Sequence, residues 1–251
     1  MLNKLLTFIV CLIIPSCRIK IFFLNFLGHK VHYSSYIGFS IFWGPVLVLE
    51  KKSSLHSLNM FYFDGLLKLN ESSTVYRFNI FIGSFNFYLD REAVIANFNK
   101  FKNSGLSVIE CQKDLMLGFN SKITSNHYFD LSDNITIGSN CVIGGRDSQF
   151  WTHGFIHSNL GLERYINLSP ISIGDGCYFG SRVLINPGCN IDKNVNVLGG
   201  SVLSGNVKSN IVVGSSPKVI IYDFNKVPLS KIYDIDYDFK CGNPRIKRKK
   251  I

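Results

Sequence analysis

The sequence predicts an all-β solenoid of short parallel strands, and three observations predict it. From Ile173 to Leu203 a large apolar residue returns at every sixth position: Ile173, Phe179, Ile185, Ile191, Val197 and Leu203. Four places after each stands a small or β-branched residue, namely Cys177, Val183, Cys189, Val195, Ser201 and Val207. The residue that follows the large one is often glycine or a turn former, as in Gly174, Gly180, Asn186 and Asp192. A period of six scatters around the axis of an α-helix with 3.6 residues per turn. It suits short strands joined by turns and wound into coils around a stack of aliphatic side chains.

With 251 residues, 46% of them apolar, the chain can bury a substantial core, and one main domain with appendages is expected. The first appendage, residues 1–28, is a hydrophobic and basic segment expected to be helical. Its apolar run from Leu5 to Ile14 follows Lys4, is closed by Pro15, and is too short to span a bilayer as a helix. A signal-peptide segment ending near Cys17 and an arm packed on the domain or on a neighbouring subunit are both open readings. The basic, aromatic-rich stretch Arg18 to Leu27 favours a membrane-interfacial segment, with peripheral attachment on the cytoplasmic face.

The solenoid is expected over residues 29–221. Val31 to Trp43, around Ile37-Gly38, reads as a degenerate first hexad or two. Between Val46 and Phe129 the period is poor, although Ile82-Gly83 and Leu117-Gly118 keep the aliphatic–glycine pair, so irregular early coils are expected. Phe61, Tyr62, Phe63, Phe85 and Phe87 read as packing residues, and Glu92 to Asn103 is open to a short helix.

Regular coils begin near Leu131 and include Ile137-Gly138 and Ile143-Gly144. In a continued register His153 would fall on the small inward position, crowded and unpaired. The chain is therefore expected to leave the coil in a loop over 146–170. That loop, with Trp151-Thr152-His153 and His157, is long and aromatic enough to be functional. Residues 222–251 are expected to form a cap over the last coil and a basic tail.

The seven cysteines do not form a paired zinc motif, and Cys141, Cys177 and Cys189 occupy inward small positions where a thiol packs as a small hydrophobe. A reducing, cytoplasmic setting follows. The 27 basic residues against 17 acidic ones cluster most densely in Arg245 to Lys250, which reads as a solvated end or a contact with anionic lipid headgroups. No nucleic-acid binding module accompanies the charge.

The run from Pro170 to Cys189, with Gly200-Ser201-Val202-Leu203 and Ser216-Pro217-Lys218-Val219-Ile220, resembles the hexapeptide-repeat acyltransferases over about residues 131 to 221. The resemblance implies a left-handed parallel β-helix with three hexads per coil, a homotrimer, and transfer of an acyl group, usually acetyl, from coenzyme A to a hydroxyl or amine. It points to the type that O-acetylates surface polysaccharides, with acetyl-CoA as co-substrate and no metal.

Transfer from a thioester needs a base for the acceptor's proton, and a histidine, with an ordinary pKa near 6.5, supplies one at neutral pH. His153 matches the placement of the family's catalytic histidine, with His157 as the alternative. Asp147 is the nearest carboxylate for orienting that ring, ahead of Glu163 and Asp130. By resemblance the oxyanion donors fall near Gly180-Ser181, the acyl carrier passes Gly199, Gly200 and Ser201, and Lys218 meets a coenzyme A phosphate. Leu198 stands where most members have glycine, and the proline of Ser216-Pro217-Lys218 is shifted by one, so the donor groove departs from the family pattern.

The expected function is acetyl transfer to a sugar hydroxyl of a cell-surface polysaccharide or its precursor, with Phe150, Trp151 and Tyr178 available to stack a pyranose ring. A zinc hydratase using His127, His153 and His157, and a non-catalytic glycan-binding solenoid, are the alternatives.

Overall fold

Each turn of the chain buries large apolar side chains, and these stack in register to make three flat faces. The computed structural model describes residues 2–103, 113–157, 164–215, 232–237 and 244–247. On the first face Val31, Leu49, Leu69, Leu89, Leu117, Ile137, Ile173, Ile191 and Val207 lie one over the next in parallel strands. The second face stacks Ile37, Leu55, Val75, Ile95, Ile123, Ile143, Phe179, Val197 and Val213 in the same way. The third stacks Phe42, Phe61, Phe81, Phe101, Phe129, Phe150, Ile185 and Leu203. The fold is a parallel β-solenoid of about eight turns.

The early coils are regular as far as Phe101, which corrects the expectation of irregular coils over that part of Val46 to Phe129; the next step is longer, since Leu89 pairs with Leu117, Ile95 with Ile123 and Phe101 with Phe129. Their repeat runs Leu49, Leu55, Phe61, Leu69, so two hexad steps are followed by a step of eight. The added pair widens the first face: strand Leu66–Leu69 turns both Leu67 and Leu69 inward, where a hexad coil turns in one residue. A search at period six loses phase once per coil. Likewise Glu92 to Asn103 holds no helix but the strands Val94–Ile95 and Lys100–Lys102, separated by a turn with Phe98 at φ 62°.

Inside the corner between the second and third faces runs a column of buried polar residues. The amide oxygen of Asn59 accepts the N–H of Asn79 at 2.8 Å, Asn79 accepts that of Asn99 at 2.8 Å, and Asn99 that of His127 at 2.9 Å. His127 Nδ1 then accepts the Ser148 N–H at 3.2 Å, and Ser148 Oγ accepts the Val183 N–H at 3.1 Å. Each side chain thus satisfies a backbone donor of the next coil that the turn leaves unpaired. His127 Nε2 lies 2.9 Å from Thr124 Oγ1, whose proton goes on to backbone carbonyls. The ring must therefore be neutral with its proton on Nε2.

This has a measurable consequence. Burial lowers the His127 pKa to about 4 despite the opposing pull of Asp147. With an unfolded value near 6.5, the stability that His127 contributes is full above that pH and is lost as pH falls toward 4, because only the unfolded chain takes the proton. His127→Asn, the residue used by the three coils below, is expected to reduce the pH 7 to pH 4 loss of unfolding free energy by on the order of 3 kcal/mol. Urea titrations at the two pH values measure it, and an unchanged loss would contradict the assignment.

Two helices close the bottom of the stack. α1 (Leu2–Ile13) buries Thr7, Val10 and Cys11, and α2 (Arg18–Phe26) buries Lys20, Ile21 and Leu24. Among the described residues no helix is long and apolar enough to cross a membrane.

The chain leaves the coil later than expected. Gln149–Phe150 still pairs as a third-face strand, so the departure runs from His153 to Leu168 rather than over 146–170. It is a β-hairpin, His153–His157 antiparallel to Arg164–Leu168. Strands Ile232–Tyr237 and Pro244–Lys247 extend that hairpin into a four-stranded antiparallel sheet, so these parts of the expected cap pair with the hairpin.

Candidate active site

The hairpin begins where the coil would have to bury an imidazole, and a carboxylate of the preceding coil receives it instead. Asp130 ends the third-face strand Tyr128–Asp130, one residue past Phe129 of the ring column, and its side chain is fully buried. Its Oδ2 lies 2.7 Å from His153 Nδ1 and also accepts the backbone N–H groups of Thr152 at 2.9 Å and His153 at 3.0 Å. The Ser132 hydroxyl donates to Oδ1 at 2.7 Å, and Thr152 Oγ1 is 2.9 Å from Oδ2. Thr152 Oγ1 accepts in turn from the Asp133 N–H at 2.8 Å.

Burial alone would push the Asp130 carboxyl up. The hydrogen bonds from His153, Ser132 and Thr152, with the His153 charge, outweigh it and hold the pKa below the ordinary carboxylate value. The group is thus a fixed anion. An anion that accepts at Nδ1 selects the tautomer with the proton on that nitrogen, which leaves Nε2 as the lone-pair nitrogen. His153 also sits in a row of aromatic rings, 5.9 Å from Trp151 and 5.7 Å from Phe155, with Tyr128 beyond Trp151 at 4.9 Å. A partly exposed base with a held tautomer beside aromatic rings is equipped to take a proton from a hydroxyl of a ring-shaped acceptor.

The structure separates several of the residues that the sequence suggested together. Asp147 is not the carboxylate on His153: it lies in the turn before strand Gln149–Phe150, at φ 64°, ion-paired with Arg146 at 3.4 Å. His153 follows the same strand, so the two occupy opposite ends of the third face. Glu163 lies outside the described residues. Phe150 is buried in the ring column and Tyr178 is on the second face, so of these three only Trp151 stands beside the base. His157 is four residues along the hairpin strand, opposite Arg164.

Gly180 and Ser181 share the corner that holds Asp147. A Cβ on Gly180 would stand 2.6 Å from the Gly199 backbone nitrogen of the next coil, so close stacking alone demands glycine there. Ser181 Oγ accepts the Arg146 N–H at 3.3 Å, and its carbonyl accepts the Gly200 N–H at 2.8 Å. Ser201 turns inward, donating to Leu198 O at 2.6 Å and accepting the Ser215 N–H at 3.3 Å, so its side chain is structural and not a groove contact. Lys218 lies outside the described residues. One chain therefore does not bring the Gly180–Ser181 corner to His153.

His127 and His153 are committed to different networks, one inside the corner ladder and one on Asp130. Among the described residues no group of three His, Cys, Asp or Glu side chains could hold a metal ion. Asp130, like Glu163, ranked behind Asp147 on sequence grounds. Its signal was its place directly after Phe129, which becomes readable only when the coil length is known.

No family model matches the chain. It is similar to the galactoside O-acetyltransferase of Escherichia coli (strain K12), 27% identical over 119 residues, or 47% of this chain. The chain spans only 56% of that enzyme's length. Among solved structures it is similar to a hexapeptide-repeat acetyltransferase of Vibrio cholerae O1 biovar eltor complexed with acetyl coenzyme A. There the identity is 22%, covering 50% of this chain and 67% of the other, with a TM-score of 0.40. It is also similar to the polysialic-acid-specific acetyltransferase NeuO, at 18% identity over 74% of this chain and 86% of that one, with a TM-score of 0.44. In its repeat, in its fold and in this likeness, the chain resembles the hexapeptide-repeat acyltransferases.

Proposed function

We propose that the protein transfers an acetyl group from acetyl-CoA to a sugar hydroxyl of a surface polysaccharide or its precursor, with His153 as general base. The observation that carries this reading is the His153–Asp130 pair, an imidazole held through Nδ1 by a buried carboxylate at 2.7 Å. In the reaction Nε2 takes the acceptor's hydroxyl proton as the oxygen attacks the thioester carbonyl. The tetrahedral oxyanion then collapses, the carbon–sulfur bond breaks, and the departing thiolate recovers the proton from Nε2. Asp130 stabilises the imidazolium formed between the two steps.

Backbone N–H groups at the Gly180–Ser181 corner suit the oxyanion, and because that corner is at the far end of the face, a neighbouring copy supplies it in a homotrimer. Gly199 lies on the same corner, along the path of the acyl carrier. A coenzyme A thioester donor would favour a cytoplasmic reaction. The galactoside specificity named for the E. coli relative supports a sugar acceptor.

The test is acceptor-dependent release of coenzyme A thiol from acetyl-CoA over a panel of free, lipid-linked and polymeric sugars. Release that requires a hydroxyl acceptor supports the reading. A folded protein that releases no thiol above the acceptor-free rate with any member of the panel rejects it.

A further inference from the structure

We propose that the N-terminal helix pair is a docking surface for an anionic lipid bilayer, lying flat in the headgroup layer at the bottom of the solenoid. This inference is independent of the transferase reading. The pair is firmly seated. Val10, Cys11, Ile21 and Leu24 are buried in the core that runs on through the first coil. The Lys20 ammonium, fully buried, donates to the carbonyls of Cys11, Ile37 and Gly38 at 3.2, 3.1 and 2.9 Å. One cation thus ties α1 and α2 to the first coil and fixes which faces point outward.

Those outward faces are apolar as well. Ile9, Leu12 and Ile13 of α1 and Phe22, Phe23 and Phe26 of α2 are exposed, Phe26 to 79%. The end cap of a solenoid ordinarily presents a polar outer face, which keeps the stack soluble. Large apolar side chains exposed in this number on two packed helices point to a contact with another phase or molecule. Helices of 12 and 9 residues are too short to span a bilayer but suit its interface.

Charge decides between the occupants. The first carboxylate of the chain is Glu50, whereas Lys4, Arg18, Lys20 and Lys30 precede it. Arg18 and Lys30 are exposed, and Lys4 reaches Asp64 at 2.6 Å. A second copy meeting the same end would set cation against cation with no carboxylate from this segment between them. An anionic headgroup layer complements the segment, and the net charge of +10 adds attraction at longer range.

Co-sedimentation of the full chain with phosphatidylcholine vesicles, with and without phosphatidylglycerol, tests the proposal. The wild type is expected to bind the mixed vesicles, and more weakly at high salt. The triple variant Ile13→Ser, Phe22→Ser and Phe26→Ser, whose changes are all at exposed positions, is expected to keep its melting temperature and to bind about tenfold or more weakly. Arg18→Glu is expected to weaken binding to the mixed vesicles selectively. Failure of the wild type to bind, or binding that the triple variant leaves intact, overturns the proposal. So does a triple variant that splits a wild-type assembly in lipid-free buffer, since the face would then belong to a second copy. Transfer to a soluble acceptor, which does not involve these helices, separates this failure from failure of the enzymatic reading.

Discussion

His153→Ala is expected to lower kcat for acetyl transfer by about 10² to 10⁴-fold, the contribution of a positioned general base. The expectation is specific because the substitution spares the rest of the network. Asp130 keeps the backbone N–H groups of Thr152 and His153 and the Ser132 hydroxyl, all within 3.0 Å, so the buried anion stays partnered and the fold should hold. Asp130→Asn separates orientation from charge. The amide oxygen would keep the backbone N–H groups of Thr152 and His153 and the ring Nδ1–H, with the amide nitrogen turned to the Ser132 hydroxyl, so the tautomer is held while the anion that stabilises the imidazolium is lost. A loss of kcat of roughly 10²-fold or more is therefore expected with the imidazole still present. Steady-state kinetics with thiol detection, alongside circular dichroism of each variant, reads both effects. A His153→Ala enzyme that keeps a tenth or more of wild-type kcat would remove His153 from the mechanism.

Phe81→Ala is expected to cost about 3–5 kcal/mol of stability, the upper range for emptying a buried aromatic site. Phe81 lies between Phe61 and Phe101, with ring centroids 4.7 Å away on each side and interplanar angles of 18° and 12°, and Phe87 meets its edge at 5.0 Å. The site cannot close over the gap. Its neighbours hang from parallel strands whose spacing of about 4.8 Å is set by backbone hydrogen bonds, so the rings above and below cannot approach each other. Phe81→Leu, which refills part of the volume, should recover more than half of the loss. Denaturant titrations of the two variants give the comparison. A cost for Phe81→Ala below that of Phe81→Leu would mean that the column is not the tight stack described.

The two halves of the solenoid differ in how openly the sequence displays them. From Ile173 to Leu203 every corner closes in six, and each strand after Ile171–Ile173 buries one residue, so burial and spacing coincide. From Val46 to Phe101 the same architecture is present with a wider first face, and the period of twenty conceals the hexads. The ring column was in view as scattered phenylalanines but not as one object, because its members are a coil apart and touch only through the stack. The corner ladder was hidden for a related reason. Asn59, Asn79 and Asn99 read as turn residues one at a time, and their hydrogen bonds exist only between coils.

The residues alone determined the β-solenoid, the helical and apolar character of the N-terminus, and the departure of the chain near His153. Each follows from local rules: strand period, segment length, and the cost of burying an unpaired imidazole. Tertiary structure decided which carboxylate holds that ring. Asp147 is six residues from His153 in sequence but a whole face away in space, whereas Asp130, twenty-three residues away, is brought beneath it by one turn of the coil. In a solenoid, contact follows coil register rather than distance along the chain. Register is set by the sum of every corner between two residues, which no single stretch of sequence displays.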